Sequence, residues 1–244
     1  MKHESVEINA GLLIVLTLTV ISIGGLVEIV PLFHIKDTVE EVKGVRPYTP
    51  LEQRGRDLYI REGCYACHSQ MIRPFRDEFL RYGHYSLAAE SKYDHPFQWG
   101  SKRTGPDVAR LGNKYSDQWH TEHLVKPQAL VPESIMPAYP WLLKNDLKYD
   151  DIENRMRALK ATGVPYSLTA DEYQANVTNF GQAMADKLHI PNAKATLEAE
   201  AKGRNWDGDK DRITEMDAMV AYLQMLGTLV DFKKYDQGYF ASFR

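Results

Sequence analysis

The chain has 244 residues, with 30 Lys and Arg against 33 Asp and Glu and a formal net charge of −3. That length allows roughly one or two domains of about 100–200 residues, and the slight acidity leaves no basic face of the kind nucleic-acid binding requires. Both cysteines of the chain fall in one five-residue run, so no structural disulfide is inferred and cysteine usage does not name a compartment.

From Ala10 to Val30 the chain is almost wholly apolar, and a helix of that length spans about 30 Å, the thickness of a bilayer core. The expectation is one transmembrane helix in an anchor over residues 1–34. A cleaved signal peptide competes with it, but that would carry about 7–15 apolar residues before a small-x-small site. Here apolarity continues past Glu28 into Val30, Pro31, Leu32 and Phe33. Glu28 would cost about 2.5–3.5 kcal/mol near the bilayer centre; close to the helix end it reaches the interface or a neighbouring subunit. Gly24 and Gly25 would permit close packing against another membrane helix. Lys2 precedes the helix while Lys36, Lys43 and Arg46 follow it, and a plain count would keep the larger part inside. Long domains translocate largely regardless of such counts.

A polar linker over residues 35–48 leads to Thr49-Pro50-Leu51-Glu52. Threonine can cap a helix, proline suits its first position and Glu52 completes a capping box, so a helix is expected from Pro50 to Glu62. Leu51, Gly55, Leu58 and Tyr59 share one face at helical spacing. Directly after it comes Cys64-Tyr65-Ala66-Cys67-His68, the attachment pattern of a c-type haem. Two thiols three positions apart can each add to one vinyl group of a single porphyrin, and the next side chain then meets the iron as an axial ligand. A thioredoxin-like pair would sit beside a strand in a βαβ unit, and the flanks here read as helix and polar loop. A structural zinc site needs about four ligands, and no second cysteine pair exists.

Gly105-Pro106-Asp107 resembles the Gly-Pro loop under the haem of class I cytochromes c, which implies that the Pro106 carbonyl is in reach of the second ring nitrogen of His68; a ligating histidine normally donates that nitrogen's proton to an acceptor. Lys102 and Arg103 could neutralise haem propionates, with a solvated basic pair as the competing reading. For the sixth ligand, Met136 lies in Pro132-Glu-Ser-Ile-Met136-Pro137-Ala-Tyr-Pro140, where three prolines stiffen the loop and reduce the entropy lost on ordering it. Met71 lies only three residues past His68, and Met216, Met219 and Met225 fall on a later helix, the first two at core spacing, where a methionine is more often packing than ligand. His120 and His123 are the rivals for a bis-histidine centre.

Residues 169–210 read as a polar insertion. Its Asp207-Gly-Asp209-Lys-Asp211 run resembles a calcium loop but fails the pattern, with Arg212 in place of the glycine and Ala218 in place of the bidentate glutamate. Thr214 and Asp217 then form a second capping box, and Met216, Met219, Val220, Leu223 and Leu226 recur at helical spacing before Gly227. Gly55 would let this helix approach the first closely, near Tyr59 and Tyr222. The pairing resembles the crossed terminal helices of class I cytochromes c. The expected fold is therefore all-α: a transmembrane helix, a class I cytochrome c-like haem domain over residues 49–230, and a tail over 231–244.

Four segments carry a more specific resemblance: GRDLYIREGCYACHSQMIRPFRDE, RYGHYSLAAESKYDHPFQWGSKRTGPDVARLG, WHTEHLVKPQALVPESIMPAYPWL and TEMDAMVAYLQMLG. In that order, and with LVEIVPLF at the end of the anchor, they resemble the monohaem subunit II of bacterial cbb3-type cytochrome c oxidases. The resemblance covers about residues 5–170 and 212–228. It implies one covalent haem c with thioether links at Cys64 and Cys67 and axial ligands His68 and Met136. It further implies electrons received from a dihaem subunit III or a soluble cytochrome c and passed to the haem–copper subunit I. The haem domain would then face the periplasm from the bacterial cytoplasmic membrane. No copper ligand set or oxygen site is visible in the sequence, so the chain reads as a relay, with catalysis in its partner. The membrane-anchored monohaem subunit of nitric oxide reductase is the nearest alternative, and a haem-based gas sensor is the alternative from another class.

Overall fold

The computed structural model describes residues 3–32, 34, 39–100, 102–235 and 238–240. Lys2, Phe33 and Lys36 of the anchor and linker, and residues 236, 237 and 241–244 of the tail, lie outside the described residues. The described residues are helical and without strands; only two isolated bridges, Asp146 with Thr214 and Ser167 with His189, pair extended backbone. The chain divides into two compact units, Met1–Glu40 with Gln237–Arg244, and Glu41–Asp236.

The first unit holds α1 (His3–Ile8) and α2 (Ala10–Leu32). Asn9 starts α2, its carboxamide oxygen accepting from the Leu12 N–H at 3.1 Å. An 18-residue window of the 23-residue α2 has a mean hydropathy of 2.4, and none of the helix's side chains is buried among the described residues. At 1.5 Å per residue it is about 35 Å long. It is long and apolar enough to cross a membrane.

The second unit is built around two helices, α3 (Pro50–Arg61) and, at its far end, α12 (Glu215–Met225). Both start with the expected capping boxes: Thr49 with Glu52, and Thr214 with Asp217. They cross at Gly55, where a Cβ would fall 1.9 Å from the Ala218 carbonyl oxygen and 2.6 Å from the Tyr222 Cβ. Only glycine permits that approach. Tyr59 and Tyr48 meet Tyr222 edge-on at 5.5 and 5.8 Å, and the Gln70 amide donates to the Tyr222 hydroxyl at 3.0 Å. Every residue of α12 is buried. Arg61 closes the crossing with a two-pronged ion pair to Glu215 at 2.5 and 2.7 Å. Arg56, also buried, pairs with Asp94.

Between them run α4 (Arg76–Tyr82), α5 (Asp117–Val125) and the one-turn helices α6 (Pro127–Leu130) and α7 (Trp141–Lys144). They are followed by α8 (Ile152–Ala161), α9 (Ala170–Phe180), α10 (Gln182–Lys187) and α11 (Ala193–Arg204). The stretch read as a polar insertion is thus largely helical. Leu188, Ile190, Ala193 and Leu197 are fully buried and belong to the main core, because α11 packs on α3 and α8. Its Asp207–Asp211 segment is a chain of local turns in which Asp207 accepts from the Asp209 N–H and the Thr214 hydroxyl.

Candidate functional site

The Cys64–His68 run leaves α3 through Gly63, whose φ of 72° reverses the chain, and forms a single 3₁₀ turn over Cys64–Ala66. The N–H groups of Cys67 and His68 both donate to the Cys64 carbonyl, at 3.1 and 2.9 Å. Both thiols are unpaired, Cys64 half-buried against the core and Cys67 exposed. Burial pushes the Cys64 thiol up to about 12, with the nearby Glu62 carboxylate adding to the shift.

The loop Arg103–Asp107 lies against His68. Its Nδ1 is 2.8 Å from the Pro106 carbonyl oxygen, and because a carbonyl only accepts, Nδ1 carries the proton and Nε2 keeps its lone pair. Gly105 sits against the imidazole: a Cβ there would lie 2.3 Å from Cε1 and 2.7 Å from Nδ1. The Gly105 N–H donates to Cys67 O and the Val108 N–H to Ser69 O, both at 2.9 Å. Asp107, buried, then accepts from the Ser69 hydroxyl at 2.6 Å, the Met71 N–H at 2.9 Å and the Ala109 N–H at 2.8 Å. Reading the sequence found Gly105 and Pro106 but gave no role to Asp107, whose place in Gly-Pro-Asp was the available signal.

Arg103 donates to the Ser69 hydroxyl and the Met71 carbonyl, both at 2.8 Å, and to Glu78 at 2.7 Å. Asp107 lies 3.6 Å away. Its charge is therefore met by carboxylates of the chain itself, and Arg103 braces the loop behind His68. Lys102 is exposed.

Met136 sits half-buried against the core, on a loop that returns past α5 and α6. Gln128 donates to the Ser134 and Met136 carbonyls at 2.9 Å, the Ser134 hydroxyl accepts from the Met136 N–H at 3.2 Å, and the Tyr139 N–H donates to Leu124 O at 2.7 Å. The other methionines raised by the sequence are engaged elsewhere. Met71 is tied by its backbone to Asp107 and Arg103, on the His68 side, and Met216, Met219 and Met225 are buried in α12.

His120 is buried to 2% exposure with Nε2 unpartnered, and burial lowers its pKa to about 4. His123 stacks on Trp119 at 4.6 Å and has a buried Nδ1 without a partner. Its pKa is lowered by burial and by the neighbouring His68. Neither has the acceptor that orients a ligating imidazole; His68 has one. Among the described residues no cluster of three or more His, Cys, Asp or Glu side chains could hold a metal ion.

The residues fit a haem. A glycine-floored slot holds an imidazole with one nitrogen left free to ligate, two free thiols stand at the required spacing, and a half-buried thioether is presented by a separate loop.

The model of one protein family, described as cytochrome c oxidase, mono-heme subunit/FixO, matches residues 3–230. A comparison with curated proteins finds no match. The chain belongs to the mono-haem subunit family: it is an electron-transport subunit of a cytochrome c oxidase complex and carries one haem. Its all-helical fold and N-terminal apolar helix fit that assignment, and the membership favours the oxidase over nitric oxide reductase and over a free-standing sensor.

Proposed function

We propose that this subunit is the fixed electron relay of a bacterial cbb3-type oxidase, its single haem c bound covalently through Cys64 and Cys67. His68 and Met136 would be the axial ligands, and the iron, when bound, supplies a one-electron ferric–ferrous couple. The observation that carries this reading is the His68 Nδ1 contact to Pro106 O at 2.8 Å above Gly105. It fixes the tautomer and orientation of the imidazole before any iron is present, and such prepared geometry is what a ligand needs.

The chain's residues divide the work. Pro106 and Gly105 orient the imidazole, and Asp107 and Arg103 hold their loop. Gln128 and Ser134 set the Met136 backbone, and a soft thioether there favours ferrous iron and raises the potential. With both ligands in place the centre would pass electrons without offering a position to oxygen. In this reading a dihaem subunit III or a soluble cytochrome c is the donor and the haem–copper subunit I the acceptor. Helix α2 is the single-pass anchor in the cytoplasmic membrane, with the second unit in the periplasm, where c-type attachment is completed.

The test is spectroscopic. The chain purified from detergent-solubilised membranes should keep its haem in a denaturing gel stained for peroxidase activity. Reduced, it should be low-spin and indifferent to carbon monoxide, and a haem–copper subunit should accompany it. Strong carbon monoxide binding at this haem would refute the Met136 ligation. Recovery with a haem–iron subunit in place of a haem–copper one would refute the oxidase assignment.

A further inference from the structure

Helix α4 is built inside out. Its one buried residue is Glu78, at 3% exposure, while Phe75 at its N-cap, Phe79 and Leu80 are 54, 49 and 74% exposed. An amphipathic helix that served only its own domain would bury the apolar residues and leave the carboxylate in water. Glu78 is fully satisfied where it lies: the Arg73 N–H and Arg103 donate to it at 2.7 Å, the Arg73 guanidinium pairs with it as well, and the arginines hold its carboxyl down to about 2. Turning α4 to bury Phe79 would pull that carboxylate out of its network. The outward apolar face is thus locked in place.

Arg76 and Arg81 stand on the same helix, and neither is paired with a carboxylate among the described residues. Arg81 lies over the Tyr82 ring at 5.1 Å and Arg73 over Phe75 at 5.4 Å, so the guanidinium planes extend the aromatic surface. This face borders a cleft shared by Arg81, Arg103, Gly105 and Pro106, the loop that orients His68.

We propose that the Phe75, Phe79 and Leu80 face, rimmed by Arg76 and Arg81, docks another protein subunit of the oxidase through an apolar surface edged by carboxylates. The two unpaired arginines call for planar acceptors, since guanidinium binds carboxylate in a two-pronged fork. Asp77, exposed on the same turn, would be repelled by an anionic lipid surface, whereas a protein can meet it with a donor. Phenylalanine and arginine are among the residue types enriched at interface centres. The assignment rests on the relay reading in one respect: a partner seated here lies next to the loop behind the proposed ligand His68.

The experiment uses membranes containing the assembled oxidase. A benzophenone amino acid replacing Leu80 should, on illumination, form an adduct with a peptide of another oxidase subunit that contains Asp or Glu. The same probe at exposed Asn179 should not. Arg76→Glu with Arg81→Glu should lower recovery of the chain in the complex by roughly tenfold or more, the scale of losing paired interfacial charges. The haem spectrum of the isolated variant should be unchanged, and a failure of covalent attachment in the parent chain would show separately in the stained gel. Adducts confined to lipid, adducts only with a second copy of this chain, or undiminished recovery of the double variant would overturn the proposal.

Discussion

The surroundings of His68 and of Met136, the two proposed ligands, are built by different rules. Behind His68, side chain and backbone interlock: Pro106 O on the ring nitrogen, Gly105 against the ring, and Asp107 with three donors tying the loop to Ser69, Met71 and Ala109. Around Met136 the bonds are to backbone alone, from Gln128 and Ser134, and prolines supply the stiffness. The contrast follows from the donors. An imidazole must present one nitrogen, in one tautomer, in one plane, so its surroundings need directional bonds. A thioether sulfur has only weak directional demands, and placing its backbone suffices.

The comparison can be broken most forcibly at Gly105. Gly105→Ala puts a Cβ 2.3 Å from the His68 ring, an overpacking that costs about 1–3 kcal/mol or more. It should displace the imidazole, with the low-spin spectrum lost and the melting temperature of the purified holoprotein lowered. Met136→Ala comes next and should act on chemistry more than on fold. The haem stays attached, the potential measured by redox titration falls, and the iron opens to carbon monoxide. An unchanged potential would mean that another residue ligates.

The third effect is a pH window. Glu78 has its folded pKa lowered to about 2, from 4.5, first by its bond to Arg103. A depressed carboxylate stabilises above its unfolded pKa, so its contribution is intact above about pH 4.5 and is lost as pH falls toward 2. Asp217 runs the other way: burial raises it from 3.8 to about 6, so its protonation favours the fold as pH falls through that interval. Thermal unfolding followed from pH 6 to 2 should separate the two, and Glu78→Gln should flatten only the lower part. The smallest effect is expected at Gln128→Ala, which removes bonds to two carbonyls at the half-buried Met136 loop. It should cost about 1 kcal/mol by denaturant titration and leave the surroundings of His68 unaltered.

Elements that obey one physical rule at a time were legible in the sequence. Helices α3 and α12 carry capping boxes and core spacing, and Gly55 marks their crossing. The N-terminal apolar run is helical over Ala10–Leu32. Residues 169–210 were harder, because the small side chains Ala193 and Ala201 carry the buried face together with Leu197, and such a weak apolar signal is diluted by Lys and Glu on the same helix. Helix α4 was not legible at all. Its periodicity points the wrong way round, and only the tertiary placement of Arg103 beside Glu78 explains which face turns inward. Asp107 was missed for a related reason: a carboxylate in a loop reads as solvated until its donors, from Ser69, Met71 and Ala109, are brought to it.

The crossing of α3 and α12 also dictates an order of events in biogenesis. Arg61 and Glu215, which close it, are 154 positions apart, and so non-local a contact forms late and slowly. While the chain is being made, α3 has only α8 and α11 to pack on until α12, its main partner, emerges. During that interval Cys64 and Cys67 stand at the end of a helix that lacks its main partner, open to attachment and to oxidation. The separation of the clasp, 154 positions, therefore sets how long the thiols stay open, and a variant without α12 should leave them so.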